Sequence, residues 1–75
     1  MVGVFMNTYY KNLKKYREES GYTQAEIAHI LQTRQEQYSK YELGKREIPV
    51  HHLITLSMVY DVSVDDLLGL KRRKK

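Results

Sequence analysis

Residues 23–44 read TQAEIAHILQTRQEQYSKYELG, and this stretch decides the fold. It begins with Thr23 followed three residues later by Glu26, which is the spacing of a capping box. In such a box each side chain accepts a hydrogen bond from the other residue's backbone amide, so a helix is expected over residues 24–31. Ala28 lies near the middle of that helix, and its small side chain lets a second helix cross closely.

The second half of the stretch repeats the pattern. Thr33 followed by Glu36 predicts another capping box, and Gly44 suits the left-handed residue that ends a helix. Two short helices joined by a tight turn let the first brace against a DNA backbone while the second enters the major groove. The Glu36 carboxylate then has two candidate roles, because it can cap the helix or accept a hydrogen bond from cytosine.

One further helix is predicted before this pair. Tyr9, Leu13 and Tyr16 recur at helical spacing and predict a helix over residues 8–19. Gly21 follows it as a suitable left-handed cap. The tyrosines predicted to face the core are Tyr9, Tyr16, Tyr38, Tyr41 and Tyr60.

Two more helices are predicted after the pair. Pro49 is tolerated at a helix start and predicts a helix over residues 50–60. Ser63 and Asp66 have capping-box spacing and predict a short last helix. Because no stretch alternates convincingly with period two, the sequence predicts an all-α, compact five-helix bundle.

The helix over residues 50–60 is apolar around much of its circumference, which indicates deep burial or contact with another subunit. The side chains predicted to face the core are Val50, Leu53, Ile54 and Ser57. A tentative dimer interface on the other sides consists of Leu56, Met58 and Val59. A homodimer is the preferred interpretation for so small a domain, and a monomer in which these side chains wrap over the first and last helices is the alternative.

Length and composition allow one domain. The chain has 75 residues and no cysteine, which excludes a disulfide framework and a thiolate metal site. The domain is predicted over residues 7–70, preceded by a flexible segment (1–6) and followed by a disordered basic tail (71–75, KRRKK). Residues 1–70 carry eight Lys or Arg against nine Asp or Glu, so the net charge of +4 comes from the tail. Global charge is therefore weak support for a nucleic-acid partner.

The outward face of the second helix in the central pair has side chains that suit base edges. Arg or Lys can bind guanine O6 and N7, Gln can bind adenine N6 and N7, and Glu can accept from cytosine N4. The candidate base-reading residues are Arg34, Gln35, Glu36, Gln37 and Lys40. A solvated polar face on a surface helix is the alternative interpretation of the same residues.

Three segments occur together in a recognisable order: LKKYREESGYTQAEIA from residue 13, QYSKYELGKREIP from residue 37 and VSVDDLLG from residue 62. In these segments the chain resembles the Cro/phage-repressor helix-turn-helix regulators, also called the xenobiotic-response-element type. The resemblance implies a lambda-repressor-like DNA-binding domain with its helix-turn-helix at about residues 24–43. It also implies double-stranded DNA as the partner and a bacterial or phage origin.

The resemblance further implies roles for residues outside the base-reading face. Gln24 matches a glutamine whose side chain and amide hold a phosphate oxygen. Lys45 and Arg46 match a loop whose backbone and side chains grip the sugar-phosphate chain. Arg17 and Glu42 match a largely buried salt bridge that ties the first helix to the third.

Two positions depart from the family pattern. Gln32 stands where the family usually has glycine in a left-handed conformation, at an expected cost of about 1 kcal/mol. Tyr38 stands where the family prefers a β-branched aliphatic residue, so its ring needs extra room and its hydroxyl needs a partner. Either change can tilt the second helix of the pair and alter which side chains reach the bases.

No cofactor, metal site or catalytic site is expected. His51 and His52 are adjacent, so on a helix they point about 100° apart, and no third ligand lies at metal spacing. His29 is alone on its helix. No carboxylate cluster and no nucleophile with a positioned base is evident, so an enzyme is not expected.

The residues and the resemblance together predict a small cytoplasmic, nucleoid-associated regulator that binds DNA sequence-specifically. We expect it to act as a homodimeric repressor on a near-palindromic operator, with activation from an adjacent site as a further mode. The alternative is an antitoxin-like protein-interaction module, in which the apolar surface of the last two helices holds another protein and DNA binding is secondary.

Overall fold

The computed structural model describes residues 9–70, and these form five α-helices. The helices are α1 (Tyr10–Glu19), α2 (Gln24–Ile30), α3 (Gln35–Glu42), α4 (Val50–Tyr60) and α5 (Val64–Leu68). The predicted all-α architecture is confirmed, and α2 and α3 form the central pair. The predicted flexible segment 1–6 and basic tail 71–75 lie outside the described residues. Within 9–70, no helix has the length and apolar character needed to span a membrane.

Capping boxes begin two helices where the sequence predicts them. The Thr23 hydroxyl accepts from the Glu26 amide at 3.1 Å, and the Glu26 carboxylate accepts from the Thr23 amide at 2.8 Å. Ser63 and Asp66 exchange the same pair of bonds at the start of α5. These bonds satisfy amides that have no partner within the helix itself.

The capping box predicted between Thr33 and Glu36 does not form, so that prediction was wrong. The N-cap of α3 is Arg34, one residue later, and it makes no side-chain cap bond. The cause lies at the end of α2, where the Thr33 amide donates to the Ala28 carbonyl at 2.9 Å. The Thr33 amide is therefore not available to the Glu36 carboxylate. This hydrogen bond at the end of α2 requires a residue with left-handed backbone before Thr33, and Gln32 has that conformation with φ 58°.

The core receives one fully buried side chain from each helix. These are Leu13 of α1, Ile27 of α2, Tyr38 of α3, Leu56 of α4 and Leu67 of α5. Ala28 is also buried, and helices α2 and α3 pack directly against each other. The predicted core tyrosines are buried except Tyr16, which is half-buried and packs against the cluster.

The faces of α4 differ from the prediction. Leu56, predicted in the dimer interface, is 0% exposed and belongs to the core, so it is not available to another subunit. Val50 and Ile54, predicted to face the core, are exposed, and Val59 is half-buried against the core. Met58 is 71% exposed, as an interface residue requires. Because α4 is apolar on most sides, its packing against α5 rather than its sequence period decides which side is buried.

Candidate nucleic-acid interface

Helix α3 presents a polar face to solvent. Four of the five candidate base-reading residues are exposed: Arg34, Gln35, Glu36 and Lys40. The fifth, Gln37, is half-buried, and its Nε2 donates to the Tyr41 hydroxyl at 3.3 Å. The geometry therefore leaves Gln37 less free than the other four to meet a base.

Two of the exposed side chains lie at the centre of this face. Glu36 and Lys40 are four residues apart, so they are neighbours one turn apart on α3. At 100° per residue they lie on the side opposite the buried Tyr38. Because the predicted capping box is absent, the Glu36 carboxylate is not tied to the Thr33 amide. Of its two candidate roles, contact with a base is the one that the geometry leaves open.

A buried cluster holds the other end of α3. We call it the Glu42 cluster, and it consists of Arg17, Gln24, Tyr38 and Glu42. The Glu42 carboxylate forms a salt bridge with Arg17, at 2.6 Å from Nε and 3.2 Å from Nη2. The Tyr38 hydroxyl donates to it at 2.6 Å, and Gln24 Nε2 donates at 3.0 Å. These bonds tie α1, the start of α2 and α3 to a single carboxylate.

The protonation states in the cluster follow from its contacts. Burial by itself raises the pKa of Glu42, but hydrogen bonds from Arg17, Tyr38 and Gln24 outweigh burial and lower that pKa. The pKa of Tyr38 is raised, first by burial and then by its bond to the Glu42 carboxylate. The bond to Glu42 also raises the pKa of Arg17. At neutral pH the cluster is therefore an ion pair with a neutral phenol as an added donor.

Gln24, the predicted phosphate ligand, is half-buried at the first position of α2. Its side-chain nitrogen is engaged by Glu42, which places the amide group against the cluster. One hydrogen on that nitrogen stays available, since a primary amide has two. The geometry thus gives Gln24 a structural contact that the sequence did not indicate, alongside its predicted role.

The loop after α3 carries the other two predicted phosphate ligands. The side chains of Lys45 and Arg46 are exposed. Their backbone amides both donate to the Lys40 carbonyl, at 3.0 Å and 3.3 Å, and so complete the end of α3. Since those amides are used inside the chain, contact from Lys45 and Arg46 with a phosphate depends on their side chains.

Two tyrosine hydrogen bonds in the structure were not predicted from the sequence. Tyr38 and Glu42 are four residues apart on one helix, and this spacing alone could have identified the partner of the Tyr38 hydroxyl. The Tyr9 hydroxyl accepts from the Ile48 amide at 3.2 Å. No sequence signal indicates this second contact, because the two residues are far apart in the chain.

The histidines do not assemble with other ligands. His51 and His52 have ring centroids 4.2 Å apart, and His52 lies against Tyr41 with centroids 6.0 Å apart. In the part of the chain from Tyr9 to Leu70, no group of three or more His, Cys, Asp or Glu side chains could hold a metal ion.

Known proteins are similar to this chain in sequence. The family model described as Helix-turn-helix matches residues 13–67. The HTH-type transcriptional regulator ImmR of Bacillus subtilis (strain 168) is 42% identical over 59 residues, covering 79% of this chain and 46% of ImmR. The uncharacterized HTH-type transcriptional regulator YqaE of the same organism is 42% identical over 65 residues, covering 87% of this chain and 56% of YqaE. The chain thus spans about half the length of these curated relatives.

A solved structure has the same fold. The crystal structure of a transcriptional regulator from Listeria innocua superposes with a TM-score of 0.80 at 24% sequence identity. The match covers 91% of this chain and 64% of the Listeria chain. At this identity the likeness supports the fold alone.

Proposed function

Because the chain belongs to the helix-turn-helix family of Cro/phage-repressor type, we propose that it binds double-stranded DNA sequence-specifically and regulates transcription. The relatives are named transcriptional regulators, which supports a regulatory DNA-binding domain over an enzyme. The observation that carries the proposal is the polar face of α3, which is exposed on a helix fixed from behind by the Glu42 cluster. We also propose that it acts in the cytoplasm, on the DNA of the nucleoid.

Base reading is assigned to the exposed residues of α3. Arg34 and Gln35 lie at the start of the helix, the part that points deepest into a major groove. Glu36 and Lys40 extend the same surface by one turn. Gln37 is proposed only as a flanking contact, because its side chain is half-buried and is bonded to the Tyr41 hydroxyl.

Phosphate contact is assigned to residues on either side of this helix. Lys45 and Arg46 extend from the loop after α3, and both side chains are exposed. Gln24 lies at the start of α2, where backbone amides and the helix dipole favour an anion. These contacts fix the register of the protein on a duplex, while the bases supply specificity.

The exposed apolar stripe on α4 supports a homodimer. Val50, Ile54 and Met58 are exposed at intervals of four residues, so they form one stripe along the helix. We propose that a second copy packs on this stripe and that the dimer binds a near-palindromic operator, whose half-sites in this class lie about 34 Å apart. Repression then follows from occupying promoter DNA. The stripe replaces the predicted interface of Leu56, Met58 and Val59, and keeps only Met58 from it.

The same stripe also fits the antitoxin-like alternative, in which it holds a different protein. Size-exclusion chromatography with light scattering separates the two. A homodimer that loses its second copy on Ile54→Lys supports the regulator. A monomer with unchanged mass in that variant favours the interaction module.

The central test uses a pool of random duplex fragments, from which the protein selects its operator. We expect Gln35→Ala with Lys40→Ala to abolish the preference for that operator, because each good base contact contributes about 1–3 kcal/mol of discrimination. Weak, salt-sensitive binding to random duplex should persist. Lys15→Ala, which removes an exposed lysine from α1, serves as the charge control and should leave the preference intact.

One result would refute the assignment. If the double variant still selects the same operator with the wild-type preference, base reading lies outside α3. By contrast, Gln24→Ala should weaken binding to the operator and to random duplex alike, because a phosphate contact carries no sequence information.

A further inference from the structure

Two adjacent tyrosines at the start of α1 contact the opposite ends of the loop over residues 43–49. We propose that Tyr9 and Tyr10 are positioning residues, which fix this loop so that Lys45 and Arg46 meet a duplex backbone. The inference rests on the proposed function and adds to it. It gives the start of α1 a role in DNA binding, although α1 itself does not contact DNA.

At the first end of the loop, the Tyr10 ring packs against Gly44. Gly44 has φ +76°, a conformation that side-chain-bearing residues rarely adopt. A Cβ added there would lie 2.7 Å from the ring carbons Cδ2 and Cε2 of Tyr10. The backbone therefore approaches the ring more closely than any other residue type would allow.

At the second end, the Tyr9 hydroxyl accepts a hydrogen bond from the Ile48 amide at 3.2 Å. Tyr9 and Ile48 are both buried in the core. An amide buried without a partner is costly, so this bond selects one position for the chain at Ile48. The side chain of Ile48 fixes the same point by packing.

Helix α3 supports the loop from a third side. The Gly44 amide donates to the Tyr41 carbonyl at 3.2 Å, and the amides of Lys45 and Arg46 donate to the Lys40 carbonyl. The backbone between Gly44 and Ile48 is thus held at both ends, while its two cationic side chains project into solvent.

Fixing the loop matters for binding because a mobile loop must lose conformational entropy when it meets DNA. A loop already ordered in the free protein avoids that loss. It also holds two cations where they can contact the phosphate backbone, which every duplex has in common. Tyr9 and Tyr10 then contribute to affinity for any duplex and not to the choice of sequence.

The test compares Tyr9→Phe with the wild type on random and operator duplexes between about 50 and 200 mM salt. Tyr9→Phe keeps the ring and removes only the hydroxyl that holds Ile48. We expect binding to both duplexes to weaken by about 3- to 10-fold. We also expect the magnitude of the slope of log affinity against log salt, called the salt slope below, to fall by about 1–2 because phosphate contacts are lost. The ratio of operator to random affinity should stay unchanged.

Two further variants separate positioning from loss of stability. Tyr16→Phe removes a hydroxyl from the same helix, where the ring stacks on Tyr60 instead of the loop, and should not alter the slope. Lys45→Ala with Arg46→Ala should lower the slope as Tyr9→Phe does. Adding Tyr9→Phe to that double variant should then cause no further loss of duplex affinity and no further change of the salt slope. All binding is measured at a temperature where circular dichroism shows every variant to be folded.

The failures are distinguishable. If Lys45→Ala with Arg46→Ala lowers the salt slope while Tyr9→Phe leaves it at the wild-type value, the positioning role is refuted and the proposed function stands. An equal further loss when Tyr9→Phe is added to the double variant also refutes it, because Tyr9 would then act independently of the loop. If the wild type binds no duplex, the proposed function fails and the positioning role fails with it.

Discussion

At the C-terminal end of α3 the Glu42 carboxylate is buried and accepts four hydrogen bonds, whereas at the N-terminal end Arg34 caps the helix without any side-chain bond. The residues that follow Arg34, namely Gln35 and Glu36, are exposed. The two ends are only two turns apart. The C-terminal end is held to the rest of the domain by a salt bridge and hydrogen bonds to Glu42, whereas the N-terminal end is exposed and can contact a ligand.

This difference shows how a small domain can separate stability from recognition. The exposed end can change its side chains with little effect on folding, because it makes few contacts within the chain. The buried end cannot change without leaving a charge or a donor unpaired. Substitutions at the two ends should therefore affect different measurements.

The largest effect is expected at the buried end. Glu42→Ala should lower the free energy of unfolding by about 3–5 kcal/mol, because it leaves the buried Arg17 without its partner. Glu36→Ala is the matched control on the exposed face, where we expect a change of about 0.5 kcal/mol or less. Urea denaturation followed by circular dichroism measures both. Similar losses for the two variants would contradict the division between the ends of α3.

A smaller loss is expected from the tyrosine in the same cluster. Tyr38→Phe keeps the ring in the core but removes the donor to Glu42, and a hydrogen bond to a charged group contributes about 1.5–3 kcal/mol. Tyr41→Phe removes a hydroxyl whose 3.3 Å bond from Gln37 involves only neutral groups, so a loss of about 1 kcal/mol or less is expected. The operator preference of folded Tyr38→Phe should match the wild type. A changed preference would mean that the cluster sets the tilt of α3.

The sequence predicted much of this fold because its signals are local. The capping residues Thr23 and Ser63 and the helix-start Pro49 each act within one turn, so α2, α4 and α5 begin where expected. The exposed base-reading candidates follow from subtracting the core positions of α3. The buried salt bridge between Arg17 and Glu42 came from the family resemblance, since its partners lie 25 residues apart.

What the sequence could not predict depends on packing. Helix α4 is apolar on most sides, so nothing in its own residues shows that Leu56 is buried and Ile54 exposed. The contact of Tyr9 with Ile48 likewise exists only once the chain is folded, because it closes a separation of 39 residues. Such contacts are decided by neighbouring helices and not by the local pattern.

The smallest predicted effect concerns the exposed end, where the sequence analysis failed. Thr23 and Thr33 each precede a glutamate by three residues, but only Thr23 forms the capping box. Thr23→Ala should therefore cost about 1 kcal/mol of stability, the usual contribution of an N-cap side chain. Thr33→Ala should cost about 0.5 kcal/mol or less, since the Thr33 backbone amide, and not its side chain, completes the end of α2.

This pair of variants also bears on recognition. Equal losses in thermal or urea denaturation would mean that Thr33 caps α3 in solution, with Glu36 as its partner. The Glu36 carboxylate would then be held at the helix start and withdrawn from the surface that contacts bases. Unequal losses leave that carboxylate on the outer face beside Lys40, where its substitution should change the preferred operator while leaving the free energy of unfolding nearly unchanged.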